Sequence, residues 1–411
     1  MEKTQLIRRY YAIAVLLWLA AVNAHADDWP NIRGPRHNGI SAEKLLVNKD
    51  TTVRKLWEKT IGTATSSVAI SNGRVYTMGN IGIKSDPQSH TDIVYCFDAA
   101  TGEEIWKFPY KCGLNFKSNT PTGPFATPSV DGGHVYTFSR KGDVYCLNAE
   151  TGKRIWYRDL KTELNLKPPF QGGFAGSPLI VAGSVILNAG DAGTALNKQT
   201  GKTIWTSRSA EAAQATPVPF EKNGRQCVAI FSGYGLVAVG AASGKRLWSF
   251  PWDTKYRTNV ADPIIADNKV FISSWYRMGG TLLDISGQKP RQIWHNKDMQ
   301  NHYSTCVLWK GNLYGFDVGN LKCLDFETGR TIWKKMGGLG RGSLMLADEK
   351  LIILTEKGML IITPADTNGF NPIFSQPIIG RKVYVAPVLA DGRIYARNDR
   401  GKIVCVTLEQ K

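Results

Sequence analysis

The stretch Tyr95-Cys96-Phe97-Asp98-Ala99-Ala100-Thr101-Gly102-Glu103-Glu104-Ile105-Trp106 decides the fold, because its second half recurs along the chain. Thr-Gly-x-x-x-Trp stands at Thr101 to Trp106, Thr151 to Trp156, Thr200 to Trp205 and Thr328 to Trp333. Ser243 to Trp248 is the same unit with serine first, and Ser286-Gly287 to Trp294 is a stretched copy. Trp57 carries only the end of the motif. Successive tryptophans lie 49, 50, 49, 43, 46 and 39 residues apart, so seven of the twelve follow one period. A period of this length marks an array of one supersecondary unit.

Each unit reads as four short strands. The second is clearest: Ala126 to Val130, a turn at Asp131-Gly132-Gly133, His134 to Phe138, a turn at Lys141-Gly142, Asp143 to Leu147, a turn at Asn148 to Gly152, then Lys153 to Tyr157. Apolar alternation bounded by Gly and Asp or Asn is strand-and-hairpin chemistry. Eight such cores begin near Ser66, Ala126, Gly176, Ala215, Ala261, Ser304, Gly342 and Val385. The seventh lacks the tryptophan and ends near Ile373-Phe374. The eighth has three strands, and the Trp57 strand would complete it. Such sheets cannot bury both faces alone, so they must pack around an axis. The expected fold is all-β: an eight-bladed propeller of four-stranded antiparallel blades, closed by the N-terminal strand joining the C-terminal blade. Seven blades is the alternative.

The units resemble the tryptophan-docking repeats of quinoprotein-type (PQQ-like) β-propellers, whose consensus matches Tyr95 to Trp106, over residues 54–408. The resemblance implies a propeller on which either an enzyme or a scaffold can be built. Its scaffold relative is the propeller lipoprotein of the outer-membrane β-barrel assembly machine. Its enzyme relatives are quinoprotein dehydrogenases, which carry a vicinal Cys-Cys disulfide, a Ca²⁺ site and a Trp beneath the quinone. This chain has no Cys-Cys pair, is shorter than those enzymes, and shows no acidic cluster able to give Ca²⁺ six to eight oxygens.

Composition agrees with a folded β protein: 41 Gly, 43% hydrophobic and 21% charged residues exclude a disordered chain. Lys3, Arg8 and Arg9, the apolar run Tyr10 to Val22, and Ala24-His25-Ala26 together read as a signal peptide over residues 1–26. A buried first helix is the bland alternative, and nothing later has the helical period to pack on it. The apolar run spans 13 residues, short of the roughly 20 needed to cross a bilayer. No Cys follows the run to accept a lipid. A periplasmic or secreted location is expected, with residues 27–53 an extended N-terminal arm whose Trp29 and Arg33 pack on the ring, and 54–411 a single propeller domain. The net charge of +17 falls to +15 without residues 1–26, with no run of five cations. That field favours an anionic envelope polymer or an acidic envelope protein and not nucleic acid. A monomer is expected.

Seven cysteines is an odd count. Cys96, Cys146 and Cys323 lie six residues before the motif Gly, where other units have Ala195 and Ala238, and Cys405 takes the same place. They read as packing thiols, leaving Cys112, Cys227 and Cys306 unassigned. Neither CxxC, HExxH nor zinc spacing occurs. No catalytic residues, metal or cofactor are expected; PQQ with Ca²⁺ belongs to the dehydrogenase alternative. Trp57, Trp106, Trp156, Trp205, Trp248, Trp294 and Trp333 are expected to be structural.

Aligning the units on Pro128, Pro178, Pro217, Pro263 and Pro387 locates the loops that enter each inner strand. Three residues earlier stand Thr65, Phe125, Ala175, Gln214, Val260, Tyr303, Arg341 and Tyr384, which should ring the mouth of the central channel. Arg341, in Gly337-Gly338-Leu339-Gly340-Arg341-Gly342, is the first candidate, since backbone amides there could nest an anion. Arg257, Asn259 and His302 lie on equivalent loops. Arg140, Asp191, Trp275, Arg277 and Arg400 lie on the second loop set of that face. Arg and Tyr at such a mouth can also serve as plugs bonded to carbonyls. The reading is a non-catalytic binding scaffold of the cell envelope, with outer-membrane protein assembly as its setting. A PQQ-dependent dehydrogenase is the alternative, and a carbohydrate-binding or lyase-type propeller, stacking sugars on Trp252, Trp275 and Tyr276, is a third. Cell fractionation should recover a protein processed near Ala26 outside the cytoplasm; a full-length cytoplasmic chain would refute the export reading.

Overall fold

The computed structural model describes residues 28–410 except 84–85, 87, 114–122, 170–171 and 209–211. The expected signal peptide lies outside the described residues. In several repeats the Asp or Asn before the motif closes a turn: Asp98 Oδ1 accepts the Ala100 and Thr101 N–H groups at 2.9 and 2.8 Å, and Asn148 and Asn197 do the same for Glu150 and Thr151 and for Gln199 and Thr200. Gly102 and Gly152 then take φ of 70° and 68°, which a side chain resists. The fourth strand follows, and in every tryptophan-bearing blade a β-bulge shifts the register just before the indole. The bulged residue faces outward, as at Ile105, Ile155 and Ile204, and the tryptophan turns inward.

Eight antiparallel sheets result, an eight-bladed propeller with almost no helix. Val388–Ala390, Arg393–Arg397 and Lys402–Gln410 form blade 8 together with Thr51–Thr60, so the first long strand closes the ring against the last. Blade 7 gains a fifth strand: Ile40–Ser41 pairs in parallel with its innermost strand.

The blades are joined by their indoles. Trp106 Nε1 donates to the Ala149 carbonyl of the next blade at 2.9 Å, and a Cβ on Gly152 would lie 2.6 Å from the Trp106 ring. Trp57, Trp156 and Trp205 meet Ala99, Lys198 and Ala241 and lie over Gly102, Gly201 and Gly244 in the same way. Trp294 meets Phe326 and Gly329. Trp248 departs from the pattern: its N–H has no partner among the described residues, and Lys222 Nζ takes the Ile285 carbonyl at the stretched repeat. In blade 7, Phe374 takes the indole's place opposite Ile362. The cysteines at the aligned slot sit in a cross-strand trio, Tyr76–Cys96–Trp106, repeated as Tyr136–Cys146–Trp156, Tyr314–Cys323–Trp333 and Tyr395–Cys405–Trp57. All seven cysteines are buried free thiols.

The arm runs across one end of the channel. Trp29 pairs with Ile70 through two backbone hydrogen bonds of 2.8 and 2.9 Å, and Pro30 accepts the Val130 N–H. Arg33 Nη2 donates to the Cys306 carbonyl at 3.0 Å on the opposite side of the ring. Glu43 then accepts the Asp391 and Gly392 N–H groups of blade 8. The arm therefore ties blades 1 and 2 to blades 6, 7 and 8 and seals the base of the channel.

Gly152→Ala and Gly183→Ala separate the indole contact from backbone strain, since both positions have positive φ but a Cβ on Gly183 meets nothing within 4 Å. Gly183→Ala should cost about 1 kcal/mol for its left-handed backbone. Gly152→Ala should cost about 1–3 kcal/mol more, for overpacking against Trp106. Equal losses in chemical denaturation would show that the ring contact contributes nothing.

Candidate functional site

The funnel at the open end of the channel is built by the loops that enter the inner strands. A chain of hydrogen bonds fixes them around the axis: Ser67 N to Thr127 Oγ1, Thr127 N to Ser177 Oγ, Ser177 N to Thr216 Oγ1, Thr216 N to Asp262 Oδ1 and Asp262 N to Thr305 Oγ1, at 2.7 to 3.1 Å. From blade 1 to blade 6, each blade's loop is thus held by the next. The linking residue stands just before the position of the aligned proline, which is Cys306 in the sixth blade, and is a hydroxyl in every one of these blades but the fifth, where it is Asp262.

Above this chain lies a cavity of about 210 Å³. Its wall includes Phe125, Trp275, Tyr276, His302, Tyr303 and Tyr384, with Gln214 and the hydroxyls of Thr65, Thr216, Thr258 and Thr305 between them. Ile32 of the arm supplies its floor, beside Asp262. His302 packs on Tyr303 and Trp275 with ring centroids 3.9 and 4.4 Å apart. Arg341 lies with its guanidinium 4.8 Å from the Trp275 ring and 5.7 Å from the Tyr303 ring, a cation–π clamp at the rim.

Of the residues marked from sequence, the funnel brings together Gln214, Trp275, His302, Tyr303 and Tyr384, with Arg341 against its outer wall. Arg140 stands behind Phe125, 5.8 Å from that ring. Asn259 is buried in the scaffold: it donates to the Ser232 carbonyl and accepts from Ser274 Oγ. Arg257 and Arg277 lie on the blade 4–5 face loops; Arg257 covers Tyr234 at 4.3 Å, and Arg277 is exposed. Asp191 sits apart, bound by Arg208 and Arg246 in another cleft. Arg400 lines a third cleft with Lys357, Arg381 and Lys382. The glycine-rich loop before Arg341 holds a carboxylate of the protein itself, since the Arg341 N–H donates to Glu356 at 3.0 Å. Trp252 is a core residue bonded to Ser274 and offers no platform.

Sequence reasoning missed Ile32 and Asp262. The Asp262-Pro263 pair was visible in the proline alignment as the one acidic residue at a position otherwise filled by Ser, Thr or Ala. The floor contributed by Ile32 had no local signal, because it depends on where the arm crosses.

Burial pushes the Asp262 carboxyl up to about 6, with Arg33 and Thr216 opposing. Burial and then Arg341 hold His302 down to about 4, so its imidazole is neutral at pH 7. Asp262 is the one carboxylate in the funnel wall, and no group of three His, Cys, Asp or Glu side chains able to hold a metal occurs among the described residues.

A family model described as outer membrane protein assembly factor BamB matches residues 90–335. No curated protein matches the sequence. Among solved structures, BamB from Moraxella catarrhalis is 14% identical, with a TM-score of 0.62 over 87% of this chain and 98% of that one. The quinohemoprotein alcohol dehydrogenase ADHIIG from Pseudomonas putida HK5 is also 14% identical, with a TM-score of 0.66 over 94% of this chain and 81% of that one. A europium-containing methanol dehydrogenase is 12% identical, with a TM-score of 0.70 over 93% and 98%. At these identities the likeness is one of fold.

The two shifted groups oppose each other in pH. Between the ordinary 3.8 of Asp262 and about 6, the folded chain binds the extra proton, so this contribution to stability falls as pH rises. For His302 the unfolded chain binds the proton first, so stability is lost as pH falls from 6.5 toward about 4. Asp262→Asn should therefore steepen the rise of melting temperature with pH across this window, and His302→Gln should flatten or reverse it. Melting curves that keep the wild-type pH dependence in both variants would contradict these assignments.

Proposed function

Because the chain belongs to the outer membrane protein assembly factor BamB family, we propose that it is a non-catalytic scaffold of the cell envelope that holds a protein partner on its funnel face. The setting is outer-membrane protein assembly, and the location is periplasmic or secreted after signal-peptide cleavage near Ala26.

One observation carries this reading. On two neighbouring loops of blades 4 and 5, Tyr256, Arg257, Tyr276 and Arg277 all adopt left-handed backbone, with φ of 65°, 52°, 59° and 66°. Left-handed residues other than glycine cost about 1–3 kcal/mol each and collect where a surface has a task. Here they bring Tyr256 and Tyr276 together and lay Arg257 on Tyr234, with Arg277 exposed beside Tyr276. Tyr256 and Tyr276 meet edge to face at 5.8 Å, Lys255 lies 5.0 Å from the Tyr256 ring, and Arg257 covers Tyr234. Tyr234 and Tyr256 each remain 46% exposed. Tyrosine and arginine held rigid and half exposed are the residue types that anchor protein interfaces, since little side-chain entropy is lost on binding.

Crosslinking and pull-down from native envelopes should capture a specific protein. Tyr256→Ala with Arg277→Glu should lower its recovery about tenfold or more, as loss of interface anchors does, with the melting temperature unchanged. Undiminished capture by this stable variant would remove the patch as the contact, and no captured protein would remove the scaffold reading.

A further inference from the structure

The funnel and the cleft beside it have opposite chemistry. The funnel is aromatic and neutral, with hydroxyl, amide and carboxyl groups low on its wall. The cleft, of about 450 Å³, is lined by Lys357, Arg381, Lys382 and Arg400 with the carboxylates of Glu356 and Asp399. All four cations are exposed, and none forms an ion pair among the described residues. Glu356 is already engaged by the Arg341 N–H. The two spaces adjoin: Arg381 and Lys382 enter the cleft, and Tyr384, two residues on, enters the funnel. Val383 between them is fixed by its N–H to the Glu356 carbonyl at 2.9 Å.

This arrangement restricts the ligand. Asp262 is 8% exposed and lies at the funnel floor as a hydrogen-bond acceptor, and Arg33 behind it already offsets its charge. An anionic group at that depth would face a buried carboxyl, and a second cation would add to Arg33 and Arg341. What fits the floor is a neutral group rich in hydroxyls, which can donate to Asp262 and exchange hydrogen bonds with Gln214 and the threonines. The C–H faces of such a ring pack on Tyr303, Tyr384 and Trp275. An anionic group on the same molecule then meets the unpaired cations at the rim.

We propose that the funnel and the adjoining cleft together bind an acidic oligosaccharide, a neutral sugar ring entering the funnel and a neighbouring carboxylate or phosphate entering the cleft. The site adjoins the Tyr256–Arg277 patch at Tyr276, which lines the funnel, but it does not rest on the protein-binding reading.

Titration calorimetry on the full mature chain tests this with four probes: maltotriose carrying a terminal glucuronic acid, maltotetraose carrying a terminal phosphate, maltotetraose itself, and polyglutamate. One or both anionic sugars should bind, at least about tenfold more tightly than maltotetraose; which one binds tells carboxylate from phosphate. Lys382→Ala with Arg400→Ala should bring the anionic sugars to the level of maltotetraose. Tyr384→Ala should weaken the sugars about tenfold, as loss of an aromatic anchor does, and Tyr384→Phe should retain them. The proposal is overturned if neither anionic sugar binds, if polyglutamate binds as tightly as they do, or if Tyr384→Ala, melting like the wild type, binds them unchanged. Should Tyr384→Ala melt early, the exposed cleft double variant decides alone.

Discussion

An indole ring laid over a left-handed glycine of the next blade is the contact from which the rest of this molecule follows. It requires three things at once: a residue without a Cβ, a backbone carbonyl turned outward, and a bulge that aims the tryptophan. The Asp or Asn turn provides the first two, and the outward-facing isoleucine before the tryptophan provides the third. Burial of a ring this size, together with one satisfied N–H, favours a single angle between blades. Repeated around the circle, that angle fixes how many blades close it.

The contact is not uniform, and its gaps show where other devices take over. At blade 5 the stretched turn leaves the Trp248 N–H without a partner among the described residues, and the Lys222 ammonium caps the Ile285 carbonyl instead. Blade 7 has Phe374 and a short fourth strand, and there the arm adds a strand on the inner side. The junction of blades 8 and 1 has both the Trp57 contact and Arg397. That guanidinium is fully buried and donates to Ser66 and Thr77 hydroxyls and to the Met78 and Gly62 carbonyls. Burial holds it down to about 9, and carbonyls rather than a carboxylate solvate it. The weakest parts of the repeat are thus reinforced by residues that have no counterpart in the other repeats.

What could be read from the sequence was whatever repeats. Periodic tryptophans, turn glycines and the proline alignment gave the blades, the closing strand and most of the funnel rim, including Tyr303, Tyr384, Gln214 and Arg341 beside it. What could not be read was set by singular, long-range contacts. Asn259 looked like its neighbours in the alignment, but it is consumed by Ser232 and Ser274. Asp191 and Arg400 shared a loop set with Trp275, yet each turns into its own cleft, because direction within a loop depends on the particular residues it packs against. Trp252 differed from Trp275 only in burial, which one-dimensional spacing does not reveal. The sealed base escaped notice because it depends on where an arm of irregular sequence crosses the ring.

The pairing of Thr51–Thr60 with Lys402–Gln410 also orders events in time. A strand that is synthesised among the first must wait, unpaired, for one synthesised among the last. Intermediate blades can form hairpins as they emerge, since their partners are local, but the wheel cannot lock until the whole polypeptide is available. Nor can the Glu43 anchor on blade 8 seat before then. The finished hub is accordingly a late property of the chain, and a polypeptide interrupted just before its final strand would carry most of its sheets and no working cup.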